Sequence, residues 1–374
     1  VTSPAGVAAP PSPPALDALS GLLRDAVLLA ERGTATPADI DTAMRLGAGH
    51  PTGPFTLLAG MTADQQRGLG LPGQQLPETP APDELPAADT GWTGPVGVVG
   101  TGHMAGGIVE TVARNGRPVR VLARTTASGD GLRARVTASL DRAVSRGRLD
   151  EAGRADVLAR VRVTTEPAAL AGSDVVVEAV AEDLHVKVLV AQQLDAQLPA
   201  STPLATNTSS FRVADLRPFV SRARPVIALH FFNPAQVMKL VEVVVPDDVD
   251  DGAALRATAS AWAADLGKTP ISCADARGFV VNRLLIPFLN DAVRLHEQGH
   301  AVAEVDDLLR TGAGHPMGPL ALIDLIGVDV TVAALESMAA VEDDPRISPA
   351  ATLRELAATG RLGRKTGAGF HTYS

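Results

Sequence analysis

Residues 96–108 read VGVVGTGHMAGGI: an apolar run ending at Gly100, a short passage through Gly102 and Ala105, then a segment of helical periodicity. A phosphate-binding turn between a strand and a helix needs its parts in this order. Gly100 permits the tight turn, Gly102 lets backbone approach a pyrophosphate, and small Ala105 lets helix and strand pack closely. A bare G-x-G-x-x-A string is weak, but here a second strand-like run, VRVLA, follows about 20 residues on, as the dinucleotide motif requires. The expectation is a dinucleotide site built on Gly100, Gly102, His103, Met104 and Ala105.

Outward from this stretch the pattern repeats. The runs VRVTT, DVVVEAV, PLATNTS, VIALHFF and KLVEVVV alternate with Ala/Leu/Arg-rich amphipathic segments. This alternation predicts a mostly parallel α/β sheet, assigned to residues 94–277. After Cys273 the β-branched runs give way to RLLIPFLNDAVRLHEQG and VTVAALESMAAV, with Pro270 and Gly278 punctuating the change. An all-α domain is expected over 278–374. Residues 61–93 are dense in Pro, Gly, Gln and acidic residues and read as a semi-extended linker.

The front of the chain repeats its back. Residues 23–57 align with 289–322 with one single-residue gap; more than half of the pairs are identical, and both copies contain GAGHP and GP. Residues 1–60 are therefore assigned as a partial copy of the helical domain. A fragment of roughly 40 residues with no disulfide or metal rarely holds a core alone. Residues 18–60 are expected to dock on the 278–374 domain, either in cis as a pseudo-dimer or on a neighbouring copy; the alternatives are a homodimer through the helical domain alone and a loosely ordered relic.

Composition sets the outer limits. The 374 residues suit two domains, and 45% hydrophobic with 20% charged residues is a globular composition. A net charge of −9 argues against a nucleic-acid binder, leaving any anion site local. Cys273 is the only cysteine, so no intrachain disulfide can form, and a reducing cytoplasm is expected. The opening stretch has no basic segment and its apolar run is broken by prolines, so neither a signal peptide nor a membrane span is expected. No metal site is expected; His50 and His315, in the two GAGHP turns, read as structural.

The chemistry concentrates in residues 206–244. Hydride exchange with a nicotinamide needs a group that moves the hydroxyl proton, and histidine suits that task near neutral pH. His230 ends the run PVIAL, where open α/β sheets bind ligands. Glu242 lies inside a second apolar run, where a carboxylate is costly without a partner. A Glu242–His230 pair meets both demands, with the acid fixing the imidazole tautomer. Ser209, ending PLATNTS, is placed to hydrogen-bond the reacting oxygen. Each residue alone has an ordinary structural explanation; their joint presence after a dinucleotide loop points to catalysis.

The second strand departs from the usual pattern. It ends in Ala123-Arg124, where an acid would normally accept the adenosine ribose hydroxyls. Arg124, with Thr125, Thr126 and Ser128 as donors, suits a 2′-phosphate. NADP(H) is favoured over NAD(H), the alternative being that Arg124 only stacks on the adenine. The basic series Arg133, Arg135, Arg142, Arg146, Arg148 reads as a solvated helix face from which one or two arginines meet ligand phosphates.

The set GTGHMAGGI, EAVAEDLHVK, ATNTSS, HFFNPAQVMKLVEVV, GFVVNRLLIPFLNDAVRL, GAGHPMGP and GRLGRKTGAGFHTY, in order over about residues 95–373, resembles the L-3-hydroxyacyl-CoA dehydrogenase family, nearest its short bacterial 3-hydroxybutyryl-CoA members. The resemblance implies a Rossmann-type, doubly wound, mostly parallel sheet followed by an all-α dimerisation domain. It also implies reversible oxidation of a 3-hydroxyacyl-CoA to the 3-ketoacyl-CoA. By matching motif, His230 is the general acid/base and Glu242 its orienting partner; Ser209 and Asn282 bind the substrate oxygens, Asn233 touches the acyl-CoA, and Glu182 and Lys187 line the nicotinamide side. Ala105 replaces the usual third glycine. Other readings are the same chemistry on an acyl-carrier-protein thioester or a free hydroxy acid, and a non-catalytic nucleotide-binding protein.

Overall fold

A computed structural model describes residues 11–71 and 91–373 of the chain. These fall into two compact units, one holding residues 91–276 and the other 11–71 together with 277–373.

The 91–276 unit is a Rossmann-type sheet of eight strands: β1 (Val96–Val99), β2 (Val119–Leu122), β3 (Val161–Thr164), β4 (Val175–Glu178), β5 (Leu204–Thr206), β6 (Val226–Phe231), β7 (Leu240–Val244) and β8 (Thr269–Ser272), in the order β3-β2-β1-β4-β5-β6-β7-β8. Strands β1 to β6 run parallel; β7 is antiparallel to β6, and β8 runs parallel to β7. The chain winds outward from β1 through β2 and β3, then restarts at β4 on the other side. The crevice between β1 and β4 is thus the switch point where such sheets take their ligands. Valine-rich runs form these strands because β1, β4, β6 and β7 are buried along their whole length, and parallel strands covered on both faces select continuous apolar sequence.

β8 departs from expectation. Pro270, read as punctuation, lies inside a strand in register with Val241. The strand is at the sheet edge, where a missing N–H breaks no ladder on the open side.

The other unit is helical. Its front part holds α1 (Pro13–Glu31), α2 (Pro37–Gly47), α3 (Pro54–Ala59) and α4 (Ala63–Gly68). The α4 helix corrects the reading of 61–93 as linker from its first residues. Thr62 accepts from the Gln65 N–H and the Gln65 side chain accepts from the Thr62 N–H, a reciprocal cap that suits a Thr-x-x-Gln sequence. Residues 72–90 of that segment, and residues 1–10 of the repeat assignment, lie outside the described residues. The helices α5 (His103–Arg114), α6 (Thr126–Ser145), α7 (Glu151–Arg160), α8 (Leu184–Gln197), α9 (Val213–Leu216) and α10 (Gly252–Asp265) belong to the sheet unit. The back part of the helical unit holds α11 (Val281–Glu297), α12 (Val302–Gly312), α13 (Pro319–Ile326), α14 (Val328–Ala339) and α15 (Ala351–Ala358).

The two copies fold alike. Asp41 accepts from the N–H groups of Phe55 (2.7 Å) and Thr56 (2.9 Å), and Asp306, its aligned counterpart, accepts from those of Leu320 (2.8 Å) and Ala321 (3.3 Å). In both copies a carboxylate on the second helix satisfies the orphan donors at the start of the third. The front copy docks on the back copy within one chain, α1 against α11, with reciprocal contacts of α1 to α12 and α2 to α11. Ala15, Leu19, Leu22, Leu23 and Ala26 form the buried stripe of α1, and burying each leucine stabilises by about 1.5–3 kcal/mol. Arg346 then joins the copies, bonding Asp25 at 2.8 Å and the aligned Asp291 at 2.6 Å. Gly21 makes room: a Cβ there would stand 2.4 Å from Arg346 Nη2.

The two GAGHP turns also meet. The His50 and His315 rings stand 4.4 Å apart beside a cavity of about 170 Å³ lined by Phe288, Met317 and Leu322. Burial, with a lesser contribution from the neighbouring imidazole, pushes His50 down to about 3; burial alone pushes His315 down to about 4. Both histidines are neutral at pH 7, in keeping with their structural reading.

Candidate active site

The glycine turn sits where β1 hands over to α5. Gly100 adopts φ +116°, and a Cβ there would lie 2.5 Å from the Ala179 carbonyl oxygen, so only glycine fits. Gly102 is the N-cap of α5, and a Cβ on it would meet nothing within 4 Å, which leaves open space above the helix N-terminus. His103 is exposed, Met104 half-buried, and Ala105 fully buried against the sheet. Orphan N–H groups facing open space at the positive end of a twelve-residue helix fit a dinucleotide pyrophosphate.

Arg124 is exposed at the end of β2 and Ala123 is buried, so no carboxylate occupies that position. Ser128 is not a spare donor. Thr125 Oγ1 accepts from the Ser128 N–H, and Ser128 Oγ donates to the Thr125 carbonyl, capping α6. Of the donors expected there, the Ser128 hydroxyl already serves the helix. Arg133, Arg135 and Arg142 are exposed on α6, with Arg146 and Arg148 exposed just beyond it. Arg135 reaches back to donate to the Thr101 carbonyl within the glycine turn.

His230 and Glu242 face one another across the antiparallel β6–β7 ladder. Nδ1 of His230 lies 2.6 Å from Glu242 Oε2, with His230 5% exposed and Glu242 fully buried. The register places every second residue of both strands on one face, so a charge in one apolar run meets its partner in the other. Phe232 covers the imidazole with ring centroids 4.5 Å apart. Asn233 follows it, exposed in the connection to β7.

Ser209, Glu182 and Lys187 are brought together in the same unit. One oxygen of Glu182 accepts from the Thr208 hydroxyl (2.7 Å) and from the N–H groups of Ser209 (2.8 Å) and Ser210 (2.9 Å). Its other oxygen meets the Lys187 ammonium at 3.2 Å. Partial burial of the carboxyl raises its pKa, but Lys187, Thr208 and the Ser209 N–H outweigh that and hold it below the usual carboxylate range. Asn282 lies on α11, in the helical unit.

Sequence reasoning passed over three residues. Glu178, at the end of β4, is 6% exposed and accepts from Lys187 (3.0 Å), the Thr206 hydroxyl (2.8 Å) and the Val180 N–H (2.8 Å). Thr208 holds Glu182, and Asn207 Oδ1 accepts from the Phe231 N–H at 2.8 Å, tying the loop after β5 to the strand that carries His230. The signal for Glu178 was present: DVVVEAV buries a carboxylate in an apolar run just as KLVEVVV does. Among the described residues no group of three or more His, Cys, Asp or Glu could hold a metal, and no helix is long and apolar enough to cross a membrane.

The model of the 3-hydroxyacyl-CoA dehydrogenase NAD binding domain matches residues 95–276, and that of the 3-hydroxyacyl-CoA dehydrogenase C-terminal domain matches residues 18–69 and 278–373. The chain is 37% identical over 281 residues to a 3-hydroxybutyryl-CoA dehydrogenase of Clostridioides difficile, covering 74% of this chain and 98% of that protein. Among solved structures, M. tuberculosis FadB2 matches at 39% identity and a TM-score of 0.72, over 75% of this chain and 98% of that one. The (S)-3-hydroxybutyryl-CoA dehydrogenase PaaH1 of Ralstonia eutropha matches at 39% identity and a TM-score of 0.71, over 75% of this chain and 99% of that one.

Proposed function

The chain belongs to the 3-hydroxyacyl-CoA dehydrogenase family, and from that membership we propose that it interconverts short-chain L-3-hydroxyacyl-CoA and 3-ketoacyl-CoA thioesters with His230 as the proton carrier. The observation that carries this is the buried 2.6 Å contact of His230 Nδ1 with Glu242. A carboxylate holding the Nδ1 proton fixes the tautomer whose lone pair is on Nε2. In oxidation Nε2 takes the proton of the 3-hydroxyl; in reduction it returns that proton to the ketone oxygen. A bound nicotinamide accepts or supplies the hydride. By family motif Ser209 and Asn282 bind the substrate oxygens, Asn233 contacts the acyl-CoA, and Glu182 and Lys187 line the nicotinamide side.

For the cofactor, NADP(H) is the preferred reading. It rests on exposed Arg124 and on the missing acid at Ala123, the Ser128 hydroxyl donating within the α6 cap. The description of the matching domain as NAD binding supports the second reading, NAD(H). Reduction of acetoacetyl-CoA with NADH and NADPH as separate donors decides. A preference for NADPH that Arg124→Ala abolishes supports the first, and a preference for NADH untouched by that change leaves the second. Silence with both donors, but turnover of an acyl-carrier-protein thioester, moves the substrate and keeps the chemistry. The single buried Cys273 suits a reducing cytoplasm.

A further inference from the structure

Lys268 is 8% exposed, yet no carboxylate lies within 4 Å of its ammonium among the described residues. A buried cation without a counter-ion is costly. Here burial, with the nearby Lys239 charge, pushes Lys268 down to about 8. What it holds is backbone: Nζ donates to the carbonyls of Ala235 (2.5 Å) and Met238 (2.8 Å). Both carbonyls belong to residues 232–239, the connection between the strands carrying His230 and Glu242. That connection also carries Phe232, which covers the His230 ring, and Asn233.

The connection also rests on α5. A Cβ at Gly107 would stand 2.7 Å from Gln236 Oε1, 3.1 Å from Ala235 Cβ and 3.2 Å from the Ala235 nitrogen. Gly107 therefore lets the connection lie directly on the helix whose N-terminus forms the dinucleotide turn, while Lys268 fastens it through two of its carbonyls.

We propose that Lys268 and Gly107 are positioning residues that clamp residues 232–239 over His230 and so set the affinity for the acyl thioester. The proposal rests on the proposed substrate site and acts through Phe232 and Asn233 rather than on the reacting atoms. Losing two hydrogen bonds from a charged donor should weaken acetoacetyl-CoA binding about tenfold in Lys268→Met. Gly107→Ala, whose Cβ would crowd Ala235 and Gln236, shifts it in the same direction.

The test measures acetoacetyl-CoA Kd by calorimetry, together with KM, kcat, cofactor Kd and thermal midpoint, in the parent, Lys268→Met, Gly107→Ala and His230→Gln. Weakened thioester Kd and raised KM, with kcat and cofactor Kd preserved, supports the clamp. Unchanged thioester Kd in a folded Lys268→Met protein, or parallel loss of cofactor and thioester binding, overturns it. If Lys268→Met does not fold, Gly107→Ala decides by the same criteria. Full activity in His230→Gln sinks the catalytic reading instead and leaves the binding comparison intact.

Discussion

At the scale of single residues, the pair His230 and Glu242 shows how a sequence announces a site. Each strand is apolar enough to be buried throughout, so a lone ionisable group in either must be answered within the sheet. The β6–β7 register supplies the answer directly. Replacing His230 by Gln keeps volume and polarity but removes the transferable proton. Turnover should fall roughly 10²- to 10⁴-fold with cofactor affinity unchanged. Activity within a factor of a few of the parent would remove His230 from the mechanism. Glu178 was equally legible by the same argument and was missed because its partner, Lys187, comes from a helix rather than a facing strand. The Ser128 hydroxyl shows the converse: a donor that looks available in sequence is committed to a helix end.

At the scale of elements, periodicity found seven of the eight strands and stopped at the eighth. In TPIS the proline that argues against a strand is compatible with the one place it occurs, the sheet edge. The six-residue α4 is too short to show a period and is marked only by its cap. The repeat, by contrast, was legible because it preserves the residues that close turns. Asp41 and Asp306 cap the helices that follow them, and Gly53 and Gly318 sit so close that a Cβ would lie 2.2 Å and 2.3 Å from the carboxylate side chains. Asp306→Ala should therefore cost about 1–2 kcal/mol through the lost cap at α13, read as a shift in the urea midpoint with unchanged slope. Asp306 also meets His371 Nε2 at 2.7 Å, and Asp41 also accepts from the Thr56 hydroxyl, so each loss should exceed that of the backbone cap alone.

At the scale of the molecule, a chain that carries a partial copy of its own helical domain has supplied its own docking partner. Asp25 and Asp291, aligned in the repeat, converge on one Arg346, which lies beyond the repeated segment and has no second copy. The contact is therefore asymmetric where the helices are not. Equilibrium sedimentation is expected to give a single-copy mass; a concentration-dependent dimer would show that the face is shared between chains. The same interface predicts an acid response. His50 and His315 are held neutral by burial, with folded values of about 3 and about 4 against 6.5 for the exposed side chain. Below pH 6.5 the unfolded chain takes up protons that the folded chain refuses, so stability is fully present above that pH and declines as pH falls toward 4. The slope approaches about 1.4 kcal/mol per pH unit for each histidine. Between pH 6.5 and 4.5, where most carboxylates are still ionised, urea unfolding of the double variant His50→Gln, His315→Gln should lose much of the pH dependence seen in the parent. If parent and variant decline in parallel over that window, the two GAGHP turns are not what makes the docked copy sensitive to acid.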